Sequence, residues 1–394
     1  MKDQYLIFGG QMNNKGAQAM TFITVQEMAE RYPQLKPVAV IPKATSGDPK
    51  QYCFRIIKPL RFKEKMIVCL PLLAGLYSKI KPNSNVKKYY DLLRSCAVQI
   101  DISGYMFGAN WGVGNAISFL LRIAMAKAYH IPVYLMPQSF GPFDFRGFGG
   151  FVVRLLAKHY FPYCKVIMAR ELESKEGMVG QYHLQNVIQT PDLVLQNSRR
   201  PDMQTIFRVP AQRSSLKIEP QSTAIIPNTK NNKYGDPQQI FQAYCTAIEH
   251  LLKLGRNVYL LYHSSEDAAL CRELERAFEQ NDHVRFVSEE LNCIDFDCTV
   301  SQFDYIIASR FHSIVHAYKN CVPAVVLGWA TKYRELTEML EQERYQLDVR
   351  GGLSADALIE KIDEMEKAYS NEHQIIRDKI TEIQKENVFD KIVL

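Results

Sequence analysis

A chain of 394 residues that is 47% hydrophobic and 23% charged can bury a sizeable core, which excludes a wholly disordered protein. Its 20 Gly and 18 Pro are ordinary numbers and exclude collagen-like and low-complexity classes. The net charge of +6 is uneven: residues 55–94 hold ten Lys/Arg against two acidic residues, and the remainder is slightly acidic. A general nucleic-acid binder spreads its basic charge more widely or carries a recognisable module, so no nucleic-acid partner is expected.

Length sets an expectation of two domains. The N-terminus runs straight into a short apolar stretch and Gly9-Gly10, a strand and turn rather than a secretory leader. The longest apolar run of the first half, residues 66–77, is interrupted by Pro71 and falls short of the roughly 20 residues that span a bilayer. The nine cysteines form no CxxC pair and no zinc-ligand spacing. The reading is a cytoplasmic protein with free thiols and no metal.

In chain order, residues 5–8 read as a strand and residues 17–30 as a helix stopped at Pro33. Strands follow at 37–41 and 97–102, a helix at 116–129, and strands at 132–136 and 165–169. Periodicity is lost near residues 196–222, where Asn197-Ser198-Arg199-Arg200-Pro201 and Arg213-Ser214-Ser215 are polar. The pattern then restarts: strand 222–226, helix 238–254, strand 257–262, helix 267–281, strands 284–287 and 303–308, a helix from His312, and a last strand at 322–327. Alternating strands and helices predict parallel sheets with helices on both faces. The expected architecture is α/β: two Rossmann-like parallel-sheet domains facing a cleft. An N-terminal domain spans 1–196, a linker 197–221 and a C-terminal domain 222–394, whose last helices are candidates to pack back on the first.

Ligands bind at the carboxyl ends of strands in such sheets, so residues there are the site candidates. Asn14, Lys15 and Gly16 lie in the first strand-to-helix turn, where backbone N–H groups face an anion, or where Asn14 simply caps the helix. The turn carries neither G-x-G-x-x-G nor a P-loop. Ser309-Arg310-Phe311-His312 follows a strand and opens a helix; Arg suits a carboxylate or phosphate, and His moves protons near neutral pH. His316, one turn on, reads as helix-face packing. Arg170 repeats the strand-then-Arg-then-helix order, alone or as an ion pair with Glu171 or Glu173. Gln138 and Ser139, His263, and Asp192 close other strands or turns. The basic segment 55–94, with Lys63, Lys65, Lys79 and Lys81 around apolar residues 66–73, reads either as a surface for anionic lipid or as a solvated face over a core helix.

The order of Asn14-Lys15-Gly16-Ala17, Asp101-Ile102-Ser103-Gly104-Tyr105, Gln138-Ser139-Phe140-Gly141-Pro142, Ala169-Arg170-Glu171 with Ser174, Pro191-Asp192, Ser309-Arg310-Phe311-His312, Val322-Pro323 and Lys332 resembles the polysaccharide pyruvyl transferase family over residues 5–340. The family often has Asn-x-Gly-Asp in the first loop, where this chain has Ala17. The resemblance implies a fold similar to GT-B glycosyltransferases. It also implies transfer of the enolpyruvyl unit of phosphoenolpyruvate to a sugar of a cell-surface polysaccharide or its lipid-linked precursor, commonly as a pyruvate ketal. Phosphoenolpyruvate is then a co-substrate, and no cofactor is required. Arg170, Arg310 and His312 are the catalytic candidates it implies, with His312 as general acid. Asn14, Lys15, Gly16, Gln138, Ser139, His263, Ser309 and Lys332 are the substrate-binding candidates. Two rival readings stay open. One is a GT-B glycosyltransferase using a nucleotide sugar, for which Glu289-Glu290 is the visible clamp. The other is a non-catalytic scaffold at the inner membrane face.

Overall fold

The computed structural model describes residues 2–394 apart from 46, 210–213 and 215. Every strand pairing among the described residues runs parallel, apart from two isolated bridges. The first sheet comprises β1 (Gln4–Phe8), β2 (Lys36–Val40), β3 (Arg55–Ile57), β4 (Cys96–Asp101), β5 (Tyr105–Phe107), β6 (Val133–Phe140), β7 (Val166–Ala169) and β8 (Val187–Gln189). Its order is β3-β2-β1-β4-β6-β7-β8, with β5 beside β6. The second comprises β9 (Ser222–Ile226), β10 (Asn257–Leu260), β11 (Val284–Phe286), β12 (Tyr305–Ala308), β13 (Ala324–Gly328) and β14 (Gln346–Asp348), in the order β11-β10-β9-β12-β13-β14. Both sheets are α/β and wound outward from their first strand, so strand order reverses between β1 and β4 and between β9 and β12. Those switch points are where a doubly wound sheet opens a crevice for ligand.

The central strands are buried on both faces: β6, β9, β12 and β13 have no exposed residue, and Ile, Val, Ala and Leu dominate them. The short β3, β5 and β8 carry too few alternating residues to stand out in sequence, and β14 corrects the expectation that the strand at 322–327 is the last. One apolar cluster joins helix Lys15–Arg31 of the first unit to Phe296, Ile314 and Val315 of the second. A separate cluster packs helices 62–68, 112–128 and 147–160 on the opposite face of the first sheet.

The chain passes between sheets through a segment whose residues 210–213 and 215 lie outside the described residues, so the expected polar break at Arg213 and Ser215 is not described. Helix Ala355–Ile383, capped by Ser354 and buried through Leu358, Ile362, Met365, Ile376 and Ile380 at helical spacing, carries the chain back. Its end is tied to the first unit: Tyr32 Oη donates to Ile392 O (2.7 Å) and Tyr134 Oη to Val393 O (2.9 Å).

Candidate functional site

The loops at the two switch points face each other. Asn14 caps helix Lys15–Arg31, its Oδ1 accepting from Gly16 N (3.1 Å) and Ala17 N (3.2 Å). Its backbone makes an antiparallel bridge to Ser264 beyond β10, and Lys15 N donates to His263 O (3.4 Å). Gly16 is required by contact: a Cβ there would collide with the His312 imidazole of the second unit. The first turn therefore touches the second unit directly.

Arg170, one residue past β7, is buried. Nη1 donates to Asp192 Oδ2 (2.8 Å), and Nη2 to Gly104 O (2.8 Å) and Ser139 Oγ (2.7 Å). Ser139 passes its own proton to Glu171 Oε1 (2.7 Å). Asp192, held by Val194 N through Oδ1 (2.8 Å), stands 3.6 Å from His312 Nε2. Burial works against its charge, but His312 and Arg170 hold the carboxyl well below the usual carboxylate range. Arg170, Asp192 and His312 thus form a chain across the cleft.

Arg310, two residues past β12, is also buried. Its Nε and Nη2 form a two-pronged pair with Asp267 (2.7 Å each), and Nη2 also reaches Glu266. Asp267 in turn accepts from Thr229 N and Oγ1 (3.0 Å each). The Arg310 fork is therefore occupied by protein carboxylates, leaving Nη1 without a protein partner among the described residues. Ser309 is likewise spent, its Oγ donating to Leu327 O (2.8 Å) and lying 2.9 Å from the Asn231 side-chain amide, which anchors the loop.

Among the described residues, the cations of the cleft without a carboxylate partner are lysines. Lys332, after β13, lies over the Phe311 and Tyr333 rings (5.1 and 5.4 Å). Burial and neighbouring Arg170 lower its ammonium to about 7, with Glu171 pulling the other way. Lys15 lies 4.2 Å from the Tyr262 ring centre, and burial lowers it to about 8 against the pull of Glu290. His263 stacks on His312 (6.3 Å, 11°), and His316 packs beside it while pairing Nδ1 with Asp297 (2.8 Å). Burial, and next the charge of His316, push His263 well below its usual range; burial also lowers His312, against Asp192. The fully buried Gln138 amide makes no hydrogen bond.

The structure therefore gathers Lys15, Gly16, Arg170, Ser139, His263, Arg310, His312 and Lys332 around one cleft, and gives Asn14 and Ser309 to loop anchoring. Residues of the cleft that were not among the site candidates are Asp267 and Glu266, which the sequence offers only as a strand end and helix cap, and Glu335. The last is a carboxylate of the second unit that caps helix Leu172–Tyr182 of the first, accepting from Leu172 N (2.6 Å) and Glu173 N (3.4 Å). Asp192 was visible in Pro191-Asp192, where turn chemistry was the favoured explanation. Among the described residues no group of three or more His, Cys, Asp or Glu side chains is arranged to hold a metal.

Three solved structures resemble this fold over most of their length. The UDP-GlcNAc 2-epimerase of Methanocaldococcus jannaschii has a TM-score of 0.58 at 11% identity, covering 91% of this chain and 92% of its own. S. aureus MnaA, solved with UDP, has a TM-score of 0.56 at 11% identity, covering 95% and 91%. The spinosyn rhamnosyltransferase SpnG has a TM-score of 0.51 at 12% identity, covering 96% of each chain. Identities this low establish the fold, which is that of the GT-B glycosyltransferases and epimerases. No curated protein matches the chain. The model of one family, polysaccharide pyruvyl transferase, matches residues 14–331, from the capping Asn14 through Arg170, Asp192, Arg310 and His312 to the start of the helix that carries Lys332. The chain belongs to the polysaccharide pyruvyl transferase family.

Proposed function

We propose that this protein transfers the enolpyruvyl unit of phosphoenolpyruvate to a sugar of a cell-surface polysaccharide or its lipid-linked precursor, closing a pyruvate ketal across two hydroxyls. The observation that carries the reading is a cleft in which Lys332 and Lys15 lack a carboxylate partner among the described residues, together with the Arg170–Asp192–His312 chain. Phosphoenolpyruvate bears a carboxylate and a phosphate on a three-carbon frame, and two separated cations match that demand. Lowered lysines are also easily desolvated, so an arriving anion restores their charge without stripping a full hydration shell. Residues 222–394 act as the donor side and residues 1–196 as the acceptor side. Arg310 shapes the donor site chiefly through the Asp267 pair and offers Nη1 to the ligand.

His312 is neutral at rest, because burial outweighs Asp192. It takes the proton of the first sugar hydroxyl as oxygen adds to C2, and its imidazolium is steadied by Asp192. That proton passes to C3, turning CH2 into CH3. Loss of phosphate leaves C2 electron-poor, the second hydroxyl closes the ring, and its proton leaves with phosphate. Two hydroxyl protons are released and two are placed, so the balance closes without a redox step. The setting is cytoplasmic, at the inner membrane face where the acceptor rides on a lipid.

The test is incubation with carbon-labelled phosphoenolpyruvate and a panel of nitrophenyl and lipid-linked sugars, read by mass spectrometry and phosphate release. Labelled ketal with stoichiometric phosphate is expected. Turnover of UDP- or GDP-sugars in its place, with no product from phosphoenolpyruvate, overturns the reading in favour of a glycosyltransferase.

A further inference from the structure

The outer helices of the first unit cover their core sparsely. In helix Pro71–Ile80 only Ala74 and Ser78 are buried, while Leu72 (89% exposed), Leu76 and Ile80 (77% exposed) form a stripe one turn apart facing outward. Helix Gly147–Tyr160, distant in sequence, does the same with Phe148 (83% exposed), Phe151 and Leu155. Both belong to the layer on the same face of the first sheet. They are linked through helices Phe62–Val68 and Gly112–Ala128, where Lys65 Nζ donates to Ser118 O (3.3 Å) and Gly149 lies against Val113. Monomeric proteins seldom leave so many large apolar side chains on one face.

The charge around this face is one-sided. Lys63, Lys79 and Lys81 are exposed among these residues, and helix Gly147–Tyr160 holds no acidic residue. Glu64 accepts from Arg61 N (2.8 Å) at the start of helix Phe62–Val68. Lys65, expected on the surface, is buried. No helix among the described residues is long and apolar enough to cross a membrane. We infer that this face seats on an anionic lipid bilayer, the apolar stripes entering the headgroup boundary and the lysines pairing with lipid phosphates. A second copy of the chain fits worse: an isologous contact sets the patch against itself, with its lysines facing like charge. The N-termini of helices Gly112–Ala128 and Gly147–Tyr160 lie at the carboxyl edge of the sheet, the edge on which the cleft opens. The inference concerns binding alone and holds whatever the donor.

The experiment is co-sedimentation of the full chain, without substrates, with vesicles of phosphatidylcholine alone and of phosphatidylcholine mixed with phosphatidylglycerol. Binding to the mixed vesicles that weakens with salt is expected. Leu72→Glu with Leu76→Glu, Phe148→Glu with Phe151→Glu, and Lys63→Glu with Lys79→Glu and Lys81→Glu should each weaken it about tenfold or more, since each basic residue near the surface contributes about fivefold. These side chains are exposed, so circular dichroism and thermal midpoint should not change. Failure of the wild type to sediment with anionic vesicles at low salt overturns the inference. So does binding by all three variants at wild-type strength. A dimer in light scattering that Leu72→Glu with Leu76→Glu turns monomeric, with no vesicle binding, assigns the face to self-association.

Discussion

Arg170 and Arg310 share a local setting in the two units. Each follows a strand at its carboxyl end, each precedes a helix, and each is buried against an aspartate. The surroundings differ. Arg310 closes a two-pronged pair with Asp267, with which no histidine pairs among the described residues, and Glu266 adds a second carboxylate. Arg170 gives Asp192 a single bond and donates also to Gly104 and Ser139, while its buried Nε makes no hydrogen bond among the described residues; Asp192 stands 3.6 Å from His312. One local grammar thus produces a closed ion pair in the second unit and an aspartate placed between an arginine and a histidine in the first, the group to which we assign proton handling. What separates them is whether the aspartate is shared with a titratable group.

The comparison is tested hardest at His312. Replacing it with Ala should lower kcat by about 10²–10⁴-fold, the range for a positioned acid or base, in a folded protein that still binds donor. Near-normal turnover would remove the proton-transfer role. The two aspartates should then separate. Asp267→Ala leaves the buried Arg310 with only the half-exposed Glu266 as a carboxylate partner and should cost about 3 kcal/mol of stability, read from denaturant unfolding. Asp192→Asn keeps a partner for Arg170 but weakens support for the imidazolium, so its loss should fall on kcat, by about 10²-fold. If both variants lose stability equally and neither loses kcat selectively, the distinction between closed pair and chain fails.

Lys332→Met should raise the donor KM by about tenfold, the value of one charged hydrogen bond, while raising the thermal midpoint by about 2 °C. The opposite signs follow from a buried cation whose folded-state pKa, about 7, lies below its unfolded value. The folded apo protein then binds fewer protons than the unfolded chain, and its ammonium destabilises it until the pH rises. A lower midpoint would mean that Lys332 is a structural residue. The smallest effect is on pH: donor affinity should decline as pH rises through about 7 to 8, where Lys332 and Lys15 lose charge, and Lys332→Met should flatten the lower part of that decline. Calorimetric titration across that interval reads it directly.

Much of the fold was legible because parallel strands buried on both faces write themselves as short apolar runs. β9 was read at its observed bounds and β1, β2, β4 and β12 within two residues at either end. β3, β5, β8 and β14 were not, since three residues carry no period. The ordered run of Arg, His and Lys at strand ends was likewise visible, because a parallel sheet places its crevice there.

Sequence could not say which cation is free. Arg310 meets Asp267 across 43 residues of chain, Arg170 meets Asp192 across 22, and Glu335 reaches Leu172 across 163. The exposed stripe Phe148–Phe151–Leu155 has the spacing of an ordinary core-facing helix and gave no signal. Local patterning sets which residues become strand ends and helix faces. Packing between distant segments decides whether a charge is neutralised, a lysine lowered or an apolar stripe left to the solvent, because burial and ion pairing depend on neighbours in space.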